Sequence, residues 1–464
     1  MKLLTNSADP TAQLGVVERS AYMSGNIGIA FINTVVASFI MFYYTDVLLL
    51  NAGIIGTIIL VSRLLDGVTD ILMGFIVDRT YSKHGNARVW IIRACVPFAI
   101  SGILLVTVPA GSTELIQYIY VFITYNLFNS IFLTALYVPF NALVVNITSN
   151  PYERGLLGIF AMMGAGIGTM LVQSTIDAAT KALGGDTTAW QIVIAIYALC
   201  GLIGHLICFY FTRERSGETP ESLKNKQKVE VKPVLKALFT NQYWLIAIGV
   251  VFLALFATSM LGGSGMYYAK GLLGDTSYYA SFANAITIAQ LLTLITSFIF
   301  IKKYGKRNTM LAGMAILTVA SLLQGLIGDT LALIIFFSAL KGVGAGVAAG
   351  SVYGLVADTI DYGEWKSGIK SEGVGMAALT FATKVAQGFS VVLIGWLIEL
   401  GQYDPIAVLQ SQSALMAINI SHNYIPMLCG ALACLLLWFY KLDKIYPEIQ
   451  EELAERRLQA KNER

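Results

Sequence analysis

Apolar runs follow one another along almost the whole chain, and lysine and arginine collect in every second gap between them. A helix needs about 20 apolar residues to cross a bilayer. On a window of about 19 residues the runs fall near 20–47, 52–77, 89–110, 115–146, 155–180 and 188–212, then near 241–269, 277–301, 308–328, 329–357, 374–400 and 422–441. Only 13% of the 464 residues are charged, against about 25% in a soluble domain. The chain therefore reads as an all-α membrane protein of twelve transmembrane helices.

The basic gaps give it an orientation. Arg79, Lys83 and Arg88 follow span 2, and Arg154 follows span 4. Arg213, Arg215 and the lysines from Lys224 to Lys236 follow span 6. Lys302, Lys303, Lys306 and Arg307 follow span 8, and Lys366 and Lys370 follow span 10. The intervening gaps hold almost none, with Lys181 and Lys270 the exceptions. Short loops rich in Lys and Arg stay in the cytoplasm, so both termini are expected there. The residues Met1 to Val17 lack the apolar core of a cleavable signal, which leaves targeting to the first span.

The polar stretch 213–240, rich in Lys, Glu, Ser and Pro, divides the chain into an N-terminal six-helix half (1–212) and a C-terminal half (241–441), with a cytoplasmic tail at 442–464. It reads as a solvated linker. The halves echo each other. Gly74-Phe-Ile-Val-Asp78-Arg79 opens the basic gap after span 2, and Lys302-Lys-Tyr-Gly-Lys-Arg307 fills the one after span 8. Such a parallel repeat is the signature of the major facilitator fold.

Inside span 2 lie Arg63, Asp66 and Asp70. The two carboxylates are four residues apart and share a helix face, with Arg63 one turn before Asp66. A charge deep in a membrane helix costs roughly 2.5–3.5 kcal/mol on insertion scales. Two adjacent carboxylates also repel unless a positive group sits beside them. One reading is an internal ion pair that locks helices together. The other is a site for a coupling cation, in which carboxylate oxygens hold a hard ion such as sodium or accept a proton.

Other chemistries lack support. No GxxxxGK[ST], HExxH, GxSxG or paired CxxC pattern is present, so no enzyme activity and no cofactor are expected. The five cysteines (Cys95, Cys200, Cys208, Cys429 and Cys434) fall in apolar runs without metal-ligand spacing. His84, His205 and His422 are scattered, and His205 in span 6 is either a proton carrier or a packed side chain.

Three segments together resemble the glycoside–pentoside–hexuronide:cation symporters of the major facilitator superfamily. They are Phe42-Tyr-Tyr-Thr45-Asp46-Val47 with Arg63-Leu-Leu-Asp66-Gly-Val-Thr-Asp70-Ile-Leu-Met-Gly74, then Tyr137-Val-Pro139-Phe-Asn-Ala-Leu143 with Glu153-Arg154, and finally Ala357-Asp358 through Asp361-Tyr362-Gly363-Glu364-Trp365 to Glu372-Gly373. Ile71 stands where the family pattern has proline. The resemblance implies a symporter in the inner membrane of a bacterium, coupled to sodium or protons. It makes Asp66 and Asp70 cation ligands (the sodium site, if sodium is the ion), with Thr69 and Thr134 beside them and Lys384 of span 11 nearby. It also implies a cytoplasmic gate in which Asp358, Asp361, Glu364, Lys370 and Glu372 pair with Arg79, Arg88 or Arg154, the other reading of these charges being a solvated loop.

The sugar half of the family pattern is largely absent here. Span 1 has Asn26 and Asn33 and no internal acid, span 4 has Tyr137 and Asn141, and Met162 takes the place of an arginine on span 5. Amides and phenols on membrane helices remain for a small polar solute: Asn26, Asn33, Tyr125, Asn126, Asn129, Tyr137, Asn141, Gln173, Tyr267, Tyr268 and Gln387. Each is also able to tie helices together at about 0.6 kcal/mol. Lys341, deep in span 10, either snorkels toward the membrane boundary or meets an anionic group of the solute such as a uronate or sulfonate, and the second is the expectation. The alternative is a lipid or lysolipid carrier of the same fold, with a membrane receptor or enzyme further behind. Apart from the solute and membrane lipids no partner is expected, nucleic acid included, and the chain is expected to work as a monomer.

Overall fold

A computed structural model describes residues 9–11, 13–80, 82–83, 85–109, 111–215, 236–328, 330–368 and 372–462. Most of the expected linker, the expected gating residue Lys370 and the side chain of Glu372 lie outside what is described. The described residues form helices and no strands. In chain order they are α1 (Val16–Val47), α2 (Ala52–Asp78), α3 (Arg88–Leu104), α4 (Glu114–Ile147), α5 (Pro151–Ala182), α6 (Thr187–Phe211), α7 (Gln242–Leu272), α8 (Tyr279–Tyr304), α9 (Lys306–Ile327), α10 (Leu331–Ser367), α11 (Glu372–Leu400), α12 (Gln412–Phe439) and α13 (Leu442–Asn462).

Eleven of these helices are long and apolar enough to cross a membrane. The twelfth expected span is α3, which has only 17 residues. Its end is built to stop early inside the bundle. The carbonyl of Leu105 accepts from the Tyr44 hydroxyl at 3.0 Å, and that of Val106 from Tyr43 at 2.8 Å and Gln191 at 3.2 Å. A buried helix end needs such partners, because its last carbonyls have none within the helix. Other helix starts are fixed by their own side chains. Asn51 accepts from the Ile54 N–H, Asn150 from Tyr152 ahead of which Pro151 occupies the first turn, and Asp186 from Ala189.

The outward faces are apolar. Leu292, Phe298 and Ile299 of α8 are all exposed, as are Leu115 and Ile123 of α4. A surface so apolar is one that lipid, not water, covers. Between helices the contacts rest on small residues. A Cβ on Gly28 of α1 would meet the carbonyl oxygen of Gly201 in α6 at 2.6 Å, and one on Gly201 would meet Gly28 at 2.9 Å. The two backbones therefore touch, which is how membrane helices gain packing without a hydrophobic driving force.

The chain falls into two compact units. One comprises Met1–Lys226, Gly262–Thr287 and Val391–Ile418, and the other Gln227–Leu261, Ile288–Ser390 and Asn419–Arg464. Each contains the same brace. In the first, Arg88 at the start of α3 donates from Nε to the Phe209 carbonyl near the end of α6 at 2.7 Å, and Glu214, just past α6, accepts from the N–H groups of Asn86, Ala87 and Arg88. In the second, Arg307 at the start of α9 donates from Nε to the Leu437 carbonyl near the end of α12 at 2.8 Å, and Asp443, just past α12, accepts from the Arg307 N–H at 3.2 Å. Gly85 and Gly305 precede the two arginines with φ of +100° and +81°, a conformation that only glycine adopts cheaply. The basic gap that the sequence repeats is thus a repeated structural device.

Helix α13 lies on α10. Tyr446 donates to Asp361 at 2.7 Å, Trp365 donates its indole N–H to Glu452 at 2.7 Å, and Ile449 and Leu453 enter the core of the second unit.

Candidate functional site

Asp66 sits at the centre of the polar interior of the first unit, fully buried. Three side chains close around it. Asn129 donates its amide to one carboxylate oxygen, Ser130 donates its hydroxyl to the other, and the Arg63 guanidinium lies 3.6 Å away. Arg63 itself is only 7% exposed, donates to Asn129 Oδ1 at 3.0 Å and lies over the Tyr125 ring at 5.7 Å. A buried charge is tolerated only when it is paired and hydrogen-bonded, and this carboxylate is both.

The arrangement depends on a local irregularity in α4. Residues Leu127–Leu133 form a π-turn, with an extra residue per turn that places Asn129 and Ser130 together on the face toward α2. One turn on, Thr134 donates to Asp70 Oδ1 at 2.9 Å. Asp70 is half-buried. The Thr69 hydroxyl turns back onto the Asp66 main-chain carbonyl at 3.0 Å. One turn earlier, Asn126 donates to Ser62 at 2.8 Å and accepts from Ser130 at 3.3 Å. Two carboxylates, hydroxyls and amide oxygens thus gather between α2 and α4. Oxygen donors of this kind suit a hard cation, and two neighbouring carboxylates suit a proton. Among the described residues no group of three or more His, Cys, Asp or Glu side chains is placed to hold a metal ion.

Of the expected cation ligands, Asp66, Asp70, Thr69 and Thr134 come together within the first unit. Lys384 belongs to α11 and the second unit, and is half-buried. Asn129 was legible only as one amide among several. Ser130 carried no signal of its own, although Asn126, Asn129, Ser130 and Thr134 recur at helical spacing in an otherwise apolar run.

The expected solute contacts divide. Asn33, Tyr137 and Asn141 are exposed and Gln387 is half-buried, while the Asn26 amide turns back to the Tyr22 carbonyl at 3.2 Å. Two more are enclosed by the protein. Tyr267 is fully buried, and its hydroxyl bonds Thr45 at 2.7 Å. Lys341 is also fully buried, with its ammonium 2.6 Å from Asn423 Oδ1 and 3.4 Å from the His422 carbonyl. Both partners belong to a π-turn, Ile420–Tyr424, whose displaced hydrogen bonding leaves a carbonyl for the lysine. His205 is buried and packs edge-on against Phe98, 5.8 Å between centroids.

The gating residues also have partners close by. Arg154 donates to the Thr148 and Val145 carbonyls, and Lys306 reaches Asp358 at 2.7 Å within the second unit. Arg88 and Asp361 serve the brace and α13 as described above, Arg79 caps α2 and is exposed, and Glu364 is half-buried.

A second polar cluster escaped sequence reasoning. Asp46 accepts from Lys270 of α7 at 2.6 Å and from Tyr403 at 2.7 Å, while Thr45 bonds both Asp46 and Tyr267. Lys181 bridges Asp177 and Asp275 at 2.9 and 2.7 Å. The two lysines that break the alternation of basic gaps are therefore each held by acids.

Residues 21–444 match the family model described as MFS/sugar transport protein. The chain is 29% identical over 450 residues to the isoprimeverose transporter of Lactiplantibacillus pentosus, covering 95% of this chain and 92% of that protein. It is 28% identical over 426 residues to the inner membrane symporter YicJ of Escherichia coli, covering 91% of each. Among solved structures it superposes on a D-xylose-proton symporter with a TM-score of 0.66 at 17% identity, covering 91% of this chain and 97% of that one.

Proposed function

The chain belongs to the MFS/sugar transport protein family, and we propose that it is a cation-coupled symporter carrying a small glycoside, pentoside or hexuronide by alternating access. It is a transporter and not an enzyme, as its family and relatives are. The observation that carries the reading is the buried cluster of Arg63, Asp66, Asn129 and Ser130 beside Asp70 and Thr134.

Coupling follows from the electrostatics of that cluster. Occluding a pair of carboxylates in a low-dielectric interior is costly, and a sodium ion or a proton on Asp70 or Asp66 lowers the cost. If the occluded state is also the one that holds the solute, each ligand raises the other's affinity by the same factor. Sodium or a proton serves this scheme equally. The basic gaps favour both termini in the cytoplasm of a bacterium, with the Asp46–Lys270–Tyr403 cluster on the outer side.

Uptake by purified protein in liposomes tests this. Isoprimeverose, other xylosides and glucuronides are offered under an imposed sodium or pH gradient. Accumulation of one of them that needs one of the gradients, and that Asp66→Asn abolishes, is the expected result. Downhill flux indifferent to both ions and to Asp66 would leave a uniporter and sink the coupled mechanism.

A further inference from the structure

A surface cavity of about 370 Å³ opens in the second unit where α9 begins, α12 ends and α13 starts. Arg307, Asn308, Trp438, Lys441, Asp443 and Lys444 line it. Three cations face one acid, and that acid is spent on the start of α9, where it accepts from the Arg307 N–H. The Arg307 guanidinium is held in place by the Leu437 and Trp438 carbonyls and by Asn308. Lys441 and Lys444 are exposed, and among the described residues neither ammonium has a protein partner.

The repeated brace supplies an internal control. At the matching corner of the first unit, Arg215 makes a bidentate pair with buried Glu18, and Glu214 spans three backbone N–H groups. The same scaffold is thus closed by its own acids in one copy and left basic and open in the other.

We propose that this open corner binds the headgroup of an anionic membrane phospholipid. Its phosphate sits between Lys441 and Lys444, with the Trp438 indole at the level of the headgroup. Basic pockets between membrane helices on the cytoplasmic side recognise such headgroups, and tryptophan favours that boundary. The membrane source, in preference to a soluble phosphate, follows from what adjoins the cavity. Leu428, Leu432, Leu435 and Phe439 of α12 are exposed at helical spacing and lead down from it. That stripe runs about 16 Å at the helical rise, enough to lie along an acyl chain.

The test uses the full-length protein, purified and delipidated in detergent. Binding of short-chain phosphatidylglycerol is measured by titration, with phosphatidylcholine and glycerol 3-phosphate as comparisons. Wild type is expected to bind phosphatidylglycerol in a salt-sensitive way and to ignore phosphatidylcholine. At roughly 1 kcal/mol for each lysine, K441Q/K444Q weakens binding about thirtyfold. K302Q/K303Q removes as much charge at the end of α8, outside the cavity, and is expected to leave binding unchanged. Equal binding by wild type and K441Q/K444Q overturns the site. An equal loss in K302Q/K303Q reduces it to general charge attraction. Glycerol 3-phosphate bound as tightly as the lipid would make it a soluble-phosphate site instead.

Discussion

Ser130 and Asn129 keep the fully buried Asp66 in hydrogen bonds, and Arg63 balances its charge. Ser130→Ala removes one of those donors without adding bulk. An unsatisfied buried acceptor costs about 1–3 kcal/mol, so the apparent affinity for the coupling ion is expected to shift by about tenfold. Thr69→Ala is expected to shift it less, because the Thr69 hydroxyl is turned to a main-chain carbonyl. The ion dependence of uptake, measured for the two variants side by side, decides this, and equal shifts would remove Ser130 from the site. Asp66 and Asp70 were legible from sequence because charge in a long apolar run is costly. Ser130 was not, because a serine in a membrane helix costs little and has many uses.

Helix α1 carries two π-turns, Val35–Phe39 and Tyr43–Val47, and the second presents Thr45 and Asp46 to α7 and Tyr403. The resulting ion pair is largely enclosed, with the Asp46 side chain 2% exposed and Lys270 29%. Removing one partner of a buried pair costs about 3–5 kcal/mol, while removing both costs less because no charge is stranded. Thermal melting of Asp46→Asn, Lys270→Gln and the double variant forms a closed cycle. The double variant is expected to be more stable than the sum of the single losses predicts. Strict additivity would mean that the two residues act independently. The sequence marked Lys270 only as an exception to a charge pattern. Its partner lies 224 positions away along the chain, and no local periodicity reports such a distance.

On the scale of the molecule, the alternation of basic gaps carries a prediction about orientation. Single cysteines at Ser112, Gly185 or Gln410 are expected to react with a membrane-impermeant maleimide from outside the cell, above the wild-type background. Cysteines at Lys83 or Asn150 are expected to react only after permeabilisation, and the reverse pattern would invert the assigned topology. Length, hydropathy and charge spacing were enough to establish a helical membrane protein with a repeated basic gap, because the bilayer limits what an apolar run can become. The early end of α3 was beyond their reach, since it is set by phenols of Tyr43 and Tyr44 on another helix. So was the protein partner of Lys341, whose ammonium meets Asn423 in the π-turn of α12. Sequence determined which residues are too costly to be idle in lipid. Tertiary structure decided which partners satisfy them, because hydrogen bonds and ion pairs depend on positions that only packing brings within about 3 Å.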